Sequence, residues 1–201
     1  MLYYMFNKPM GCVTARSDAV HRTVMDYFPS ELAEKLHPVG RLDKDTCGLL
    51  ILTDDGMLDI SIMQPSEHIS KTYFFYAIGS MDDEKTALLE NGVPLVGFTT
   101  DRAKFRLIKR FRIGELEEFM PEKRRMRYMK NPDGPAFAAE LTISEGKKHE
   151  VKRMLEAVDC RIFYLRRESI GRLKLDPRLE QGQFRPLTDE EVCLLKDHSD
   201  K

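Results

Sequence analysis

The sequence predicts an α+β fold, on three observations. Short runs rich in aromatic and branched residues, such as "LYYMF" (2–6), "KTYFFYAIG" (71–79) and "AFAAELTI" (136–143), read as strands. Segments bounded by cap residues, such as "DDEKTALLENG" (82–92) and "TDEEVCLLK" (188–196), read as helices. With 201 residues, 42% of them hydrophobic, the chain is long enough for one well-packed domain, or one domain in two lobes.

Taken in order, "LYYMF" is a strand, "NKPMG" a turn punctuated by Pro9 and Gly11, and "CVTA" (12–15) its continuation, which together predict an N-terminal hairpin. "TVMDYF" and "SELAEKL" are short helices separated by Pro29. "LLIL" (49–52) is a buried strand closed by the "TDDG" turn, and "MLDISIM" (57–63) a short helix. In "DDEKTALLENG", Asp82 stands at the N-cap and Gly92 at the stop. Residues 113–134, "IGELEEFMPEKRRMRYMKNPDG", show no clean period and read as a basic, mobile insertion in a single catalytic domain that spans 1–201. "VKRMLEAV" places Val151, Met154, Leu155 and Val158 at i, i+3, i+4 and i+7, one face of a helix. "RIFYL" and "GRLKL" follow as strands, and Thr188 with Glu191 forms a capping box for the last helix.

The formal net charge of −1 conceals an uneven distribution. Residues 102–130 hold eleven Lys/Arg and four acids, and residues 147–174 hold nine and four, which leaves the rest of the chain acid-rich. A basic stripe suits a polyanion, because each Lys or Arg set on a phosphate releases a counterion. A solvated charged face is the plain alternative, and composition leaves both open. No apolar stretch approaches the ~20 residues of a membrane span, and "LYYMF" lacks the basic lead and long apolar middle of a leader. The expected location is the cytoplasm. Cys12, Cys47, Cys160 and Cys193 are far apart with no CxxC pair, so free thiols are expected rather than disulfides or a zinc site.

"GRLDKDTCG" (40–48) packs two aspartates, an arginine and a lysine directly ahead of "LLIL". As a calcium loop counted from Asp43 it has Cys47 at the fifth place, Ile51 at the ninth and Asp54 in place of a bidentate Glu at the twelfth, so the ligand set fails. As a DxDxT phosphatase nucleophile it needs an apolar strand before the first aspartate, and "LHPVGRL" carries Pro38 and Gly40 there. A structural turn whose acids bind backbone amides is the third reading.

The company of this stretch lifts it above a structural turn. "HPVGRLDKDTCGLLILTDDG", "KTY", "LTISEGKKHEVKRM" and "ESIGRLKLDPRLEQGQFRPLTDEE" occur in that order, with "NKPMG" ahead of them. The set resembles the RsuA-type family of ribosomal RNA pseudouridine synthases over nearly the whole chain. The resemblance implies a mixed, largely antiparallel central sheet flanked by helices, in two lobes with the active cleft between them. It makes Asp43 the catalytic aspartate, Tyr73 the tyrosine that lies against the target base, and Lys152 the basic partner of the aspartate. Arg41 matches an arginine used near the flipped nucleotide. Lys71, Lys147, Lys148, His149 and Arg153 fall in the same elements as RNA contacts.

The implied reaction breaks the bond between the sugar and N1 of uracil, turns the base and rejoins it through C5. It calls for an ionised carboxylate and for neither metal nor cofactor. A nearby cation keeps such a carboxylate ionised in a desolvating cleft, and an aromatic face returns ~1 to 3 kcal/mol of the cost of unstacking the base. The residues taken alone allow plainer roles. Tyr73 lies in an aromatic-rich strand and could be core; Lys152, His149 and Arg153 could form a solvated helix face. His149 has no metal-ligand partners at suitable spacing and reads as an RNA contact or cap. Asp45, Asp54 and Asp55 are assigned to turns.

Two departures from the family pattern stand out. Where the family commonly has GRxHQ, this chain has "GKKHE", with Lys147 for Arg and Glu150 for Gln, so an arginine fork becomes a point charge. Most members also begin with an S4-type RNA-binding domain, whereas here the catalytic part begins at residue 2 or 3. The insertion 113–134, with Lys123, Arg124, Arg125, Arg127 and Lys130 interleaved with Met126, Tyr128 and Met129, is the candidate to hold RNA in its place. The tail "IGRLKLD…QGQFRPLTDEE" leans to the small-subunit enzymes. The expected protein is a monomeric, cytoplasmic synthase acting on ribosomal RNA, free or in an assembling subunit. A non-catalytic RNA-binding or assembly factor with the same fold, or a large-subunit synthase, is the alternative.

Overall fold

A computed structural model of the chain describes residues 1–64 and 67–196. The chain divides into two compact units, one from Met1–Lys71 with the described part of Arg166–Lys201, the other Thr72–Leu165.

In the first unit, β1 (Tyr3–Lys8) lies antiparallel between β3 (Cys47–Thr53) and β11 (Phe184–Pro186). The apolar run that predicts a buried strand is buried at all seven positions of β3. After α1 (Ser30–Ala33), a short β2 (His37–Val39) runs antiparallel to the far half of β3. The near end of β3 pairs in parallel with β9 (Arg161–Ile170), Cys47 opposite Arg166 and Gly48 opposite Arg167. This parallel pair stands beside antiparallel ones, including β10 (Leu173–Lys174) on β9, and makes the sheet mixed, as expected. Met5, Leu49, Ile51, Leu58, Ile62, Ile170, Leu173 and Leu195 form the core of this unit, each contributing roughly 1.5–3 kcal/mol of burial. Asp54 and Asp55 do serve the turn. Asp54 accepts from Leu2 N, and Asp55 caps α2 (Gly56–Met63) by accepting from Met57 N and Leu58 N. The capping box of Thr188 and Glu191 opens α6 (Asp189–Lys196).

In the second unit the strand order is β4 (Lys71–Ile78), β8 (Pro135–Ile143), β7 (Lys104–Arg112), with the last two antiparallel and a register shift between Leu107 and Lys109. Before them, α3 (Asp83–Asn91) starts at Asp82, whose carboxylate accepts from Lys85 N, and stops at Gly92, φ +104°. A two-stranded hairpin follows, β5 (Pro94–Leu95) and β6 (Phe98–Thr99). In α5 (Glu150–Ala157), Val151, Met154 and Leu155, with Val158 at its end, are buried as the spacing predicts.

Two local expectations are corrected, and a third segment gains detail. The N-terminal hairpin does not form: β1 takes partners 40 or more residues away, and "CVTA" offers only a single bridge, Val13 to Thr23. Pro38 and Gly40 do not prevent a strand at His37–Val39, because Pro38 sits on a three-residue edge strand. Residues 113–134 carry regular structure, a 3-10 segment Ile113–Phe119 and α4 (Glu122–Tyr128). Ile113, Leu116, Met120 and Tyr128 anchor it on Ala136 and Phe163. The anchors are irregularly spaced because a kink at Leu116 interrupts the turns, so no single period runs through them.

Candidate active site

The GRLD turn is built by the segment that precedes it in sequence. Asp43 is half-buried just before a tight turn at Lys44 and Asp45, closed by Thr46 N donating to Asp43 O at 3.1 Å. Lys8, the last residue of β1, has no solvent exposure. Its Nζ donates to three backbone carbonyls, Asp43 O at 3.0 Å, Thr46 O at 2.9 Å and Pro9 O at 3.1 Å. Gly11 N donates to Lys44 O at 2.7 Å. Thr14 Oγ1 donates to Leu42 O at 2.8 Å and accepts from Leu42 N at 3.2 Å. "NKPMGCVT" therefore folds as a cradle for "GRLDKDT". Burial pushes the Lys8 ammonium below its ordinary value, while the thiols of Cys12 and Cys47 and the carboxylates of Asp43 and Asp45 act the other way.

Downstream of the turn, β3 presses on β9. Gly48 has φ +103°, and a Cβ there would lie 2.3 Å from Arg167 O, so only glycine permits this approach. Arg167, 4% exposed, donates through Nε to Leu49 O at 2.8 Å. Arg166, beside it, pairs with Glu168. Arg41 and Lys44 are exposed on the turn.

Along β4, burial alternates from Lys71 through Tyr73, Phe75 and Ala77, so these four share one face of the strand. Lys71 is 8% exposed and Tyr73 9%. At the start of α5, Lys147, Lys148 and His149 are exposed and Glu150 is buried. His149 is the N-cap in a left-handed conformation, φ 56°. Glu150 accepts from Lys147 N at 2.9 Å. Glu145 pairs with Lys147 Nζ at 2.7 Å and accepts from Asp101 N. Burial drives the Glu150 carboxyl up to about 7, with Glu145 beside it adding to the shift. Burial acts to raise Glu145 too, but hydrogen bonds from Lys147, Asp101 and Glu150 outweigh it and hold Glu145 below its ordinary value. Lys152 and Arg153 are half-buried on the other side of the helix. Arg153 Nη2 donates to Val96 O at 2.8 Å, which commits it to the β5–β6 hairpin. On α4, Lys123, Arg124 and Arg127 are exposed and Arg125 is half-buried.

The first unit thus brings Asp43 and Arg41 together on one turn; the second brings Lys147, Lys148, His149, Lys152 and Arg153 together at the start of α5, and the α4 cations lie elsewhere in it. Sequence reasoning missed Lys8 and Arg167. The signal for Lys8 was present, a lysine at the end of a mostly apolar strand, between Asn7 and Pro9. Arg167 is one of a pair in "LRRES" with the buried phase of β9. Among the described residues no group of three His, Cys, Asp or Glu side chains is placed to hold a metal ion, and no helix is long and apolar enough to cross a membrane.

The sequence model of the family described as RNA pseudouridylate synthase matches residues 2–157. An uncharacterized RNA pseudouridine synthase of Bacillus subtilis is 37% identical over 198 residues, 98% of this chain and 74% of the relative. Ribosomal small subunit pseudouridine synthase A of Escherichia coli K12 is 37% identical over 191 residues, 95% of this chain and 72% of the relative. A crystal structure of a pseudouridylate synthase, 36% identical, superposes with a TM-score of 0.80 over 96% of this chain and 73% of that one.

Proposed function

The chain belongs to the RNA pseudouridylate synthase family and is thereby an isomerase, and from that premise we propose that it converts a uridine of small-subunit ribosomal RNA to pseudouridine with Asp43 as its catalytic carboxylate. The observation that carries this reading is the identity to synthases named for the small ribosomal subunit, which runs over nearly the whole chain.

The chemistry assigns a role to each side chain. Asp43, ionised, acts as nucleophile or base while the bond from the ribose to N1 breaks. The uracil turns, its C5 bonds to the sugar, the C5 proton leaves to solvent and N1, freed from the ribose, takes up a proton in its place. Tyr73 offers an aromatic face to the extruded base, against an unstacking cost of a few kcal/mol. Lys152 supplies the positive charge that favours the ionised aspartate. Arg41, Lys71, Lys147, Lys148, His149 and Arg153 engage the RNA backbone, as do Lys123, Arg124, Arg125 and Arg127 of α4.

The test is tritium release from uridine labelled at C5, in small- and large-subunit ribosomal RNA supplied separately as naked RNA and as particles, with Asp43→Asn as control. Release from small-subunit substrate, lost in the variant, is the expected result. Release from large-subunit RNA alone would move the substrate. Retained RNA binding with no release from any substrate would overturn the reading in favour of a non-catalytic RNA-binding factor.

A further inference from the structure

The β5–β6 hairpin ends in an apolar residue that the structure holds out to solvent. Val96 is 94% exposed. Gly97 beside it turns with φ +95°, and no atom lies within 4 Å of where its Cβ would be. The base of the hairpin is tied by a reciprocal pair, Val93 N to Thr100 Oγ1 at 2.9 Å and Thr100 N to Val93 O at 3.0 Å. The tip is tied by Arg153, which donates to Val96 O. The Phe98 ring is flanked by two cations, with Lys147 Nζ 3.9 Å and Arg153 Cζ 4.9 Å from its centroid. Lys148, Arg102 and Lys104 are exposed in the same unit. A loose loop would not need this scaffolding.

From this arrangement we infer that the β5–β6 hairpin is an RNA-docking wedge, with Val96 set against a base or ribose face and Lys147, Lys148 and Arg153 on the adjoining phosphates. The inference rests on the ribosomal RNA reading above and adds a contact surface to it. RNA fits better than a protein partner because an exposed apolar residue with Arg153 on its carbonyl, two positions from a ring flanked by Lys147 and Arg153, matches a strand whose flat, weakly polar bases lie between phosphates. Arg153 uses one of its five N–H donors on Val96 O, so the hydrogen bond that shapes the tip also places a guanidinium beside it. Lys147 likewise serves two partners, the Phe98 ring and Glu145, which fixes where its charge is presented.

The experiment compares Val96→Asp, Val96→Ser and the control Val20→Asp, a similarly exposed valine (82%) of the other unit. Filter binding to naked small-subunit ribosomal RNA is read over a range of salt, with thermal midpoints alongside. The expected result is roughly ten-fold weaker binding for Val96→Asp, about three-fold for Val96→Ser, no change for Val20→Asp, and midpoints within a degree of wild type. Affinities of both Val96 variants within two-fold of wild type overturn the proposal, as does a wild-type chain that binds no ribosomal RNA. A chain that binds but releases no tritium refutes the pseudouridylation reading alone, and the affinity ratios still decide the wedge.

Discussion

Lys8 donates its ammonium to the carbonyl of Asp43, not to its carboxylate, from a position with no solvent exposure. Three carbonyls converge on that one group. Lys8→Met takes the ammonium from all three while preserving the volume of the stem; Asp43 O keeps the bond from Thr46 N, whereas Thr46 O and Pro9 O lose their charged donor. Each buried acceptor left unsatisfied costs about 1–3 kcal/mol, part of which relaxation recovers. The expected loss is on the order of 3 kcal/mol in urea melts, together with reduced tritium release. A melt unchanged within 0.5 kcal/mol, an order-of-magnitude threshold for a surface substitution, would remove Lys8 from the cradle.

Gly48→Ala is the sharpest test of how β3 meets β9. The added methyl would collide with backbone rather than with a movable side chain, and the φ of +103° is hostile to any other L-residue. The expected cost is about 3 kcal/mol or more, read as a fall in denaturation midpoint with unchanged slope. Wild-type stability would mean that the two strands separate without penalty.

Glu150 carries a pH dependence with a definite sign. Its folded-state value, about 7, lies above the ordinary carboxylate value of 4.5, so the folded state holds the proton more tightly than the unfolded one. Its contribution is intact below about 4.5 and is lost as pH rises toward and through 7. Glu145 is shifted downward and makes its change below 4.5, outside that window. Stability should therefore fall on the order of 2 kcal/mol between pH 5 and 8. Glu150→Gln should abolish the fall, since an amide keeps the donor and never ionises. Parallel pH profiles for the two proteins would refute the assignment.

The cations of α4 are separable from its anchors. Tyr128 and Met120 are buried while Lys123, Arg124, Arg127 and Lys130 face water, so replacing these four and Arg125 with Ser should leave the fold intact. RNA affinity should drop and its dependence on salt should flatten, by about one unit of log–log slope for each phosphate no longer engaged. An unchanged slope would assign these charges to solubility alone.

What the sequence made legible was whatever depends on near neighbours. Asp82 and Gly92 bound α3, Thr188 and Glu191 open α6, and Val151, Met154, Leu155 and Val158 face inward as their spacing requires. What it hid depends on distant partners. β1 reads as half of a hairpin until β3 and β11 take both its edges. β7 escaped notice because six of its nine residues are Lys or Arg, or face water as Ile108 does. Asp43 could be singled out only through its ordered company, and the lysine that holds its turn lies 35 positions upstream and donates only to main-chain oxygens. Hydrogen bonds of that kind require no particular side chain opposite, so the sequence does not announce the pairing.

The cysteines give this protein a built-in clock for its own opening. Cys12, Cys47 and Cys160 are buried and Cys193 is exposed, all four as free thiols. Burial also raises the pKa of Cys12 and Cys160, so even a reagent that reached them would meet little thiolate. A maleimide dye should thus couple first at α6, giving a singly labelled molecule without mutagenesis. The slower uptake of further equivalents would then time the exposure of the interior, with Cys12 reporting on the segment that cradles Asp43 and Cys160 on the end of α5.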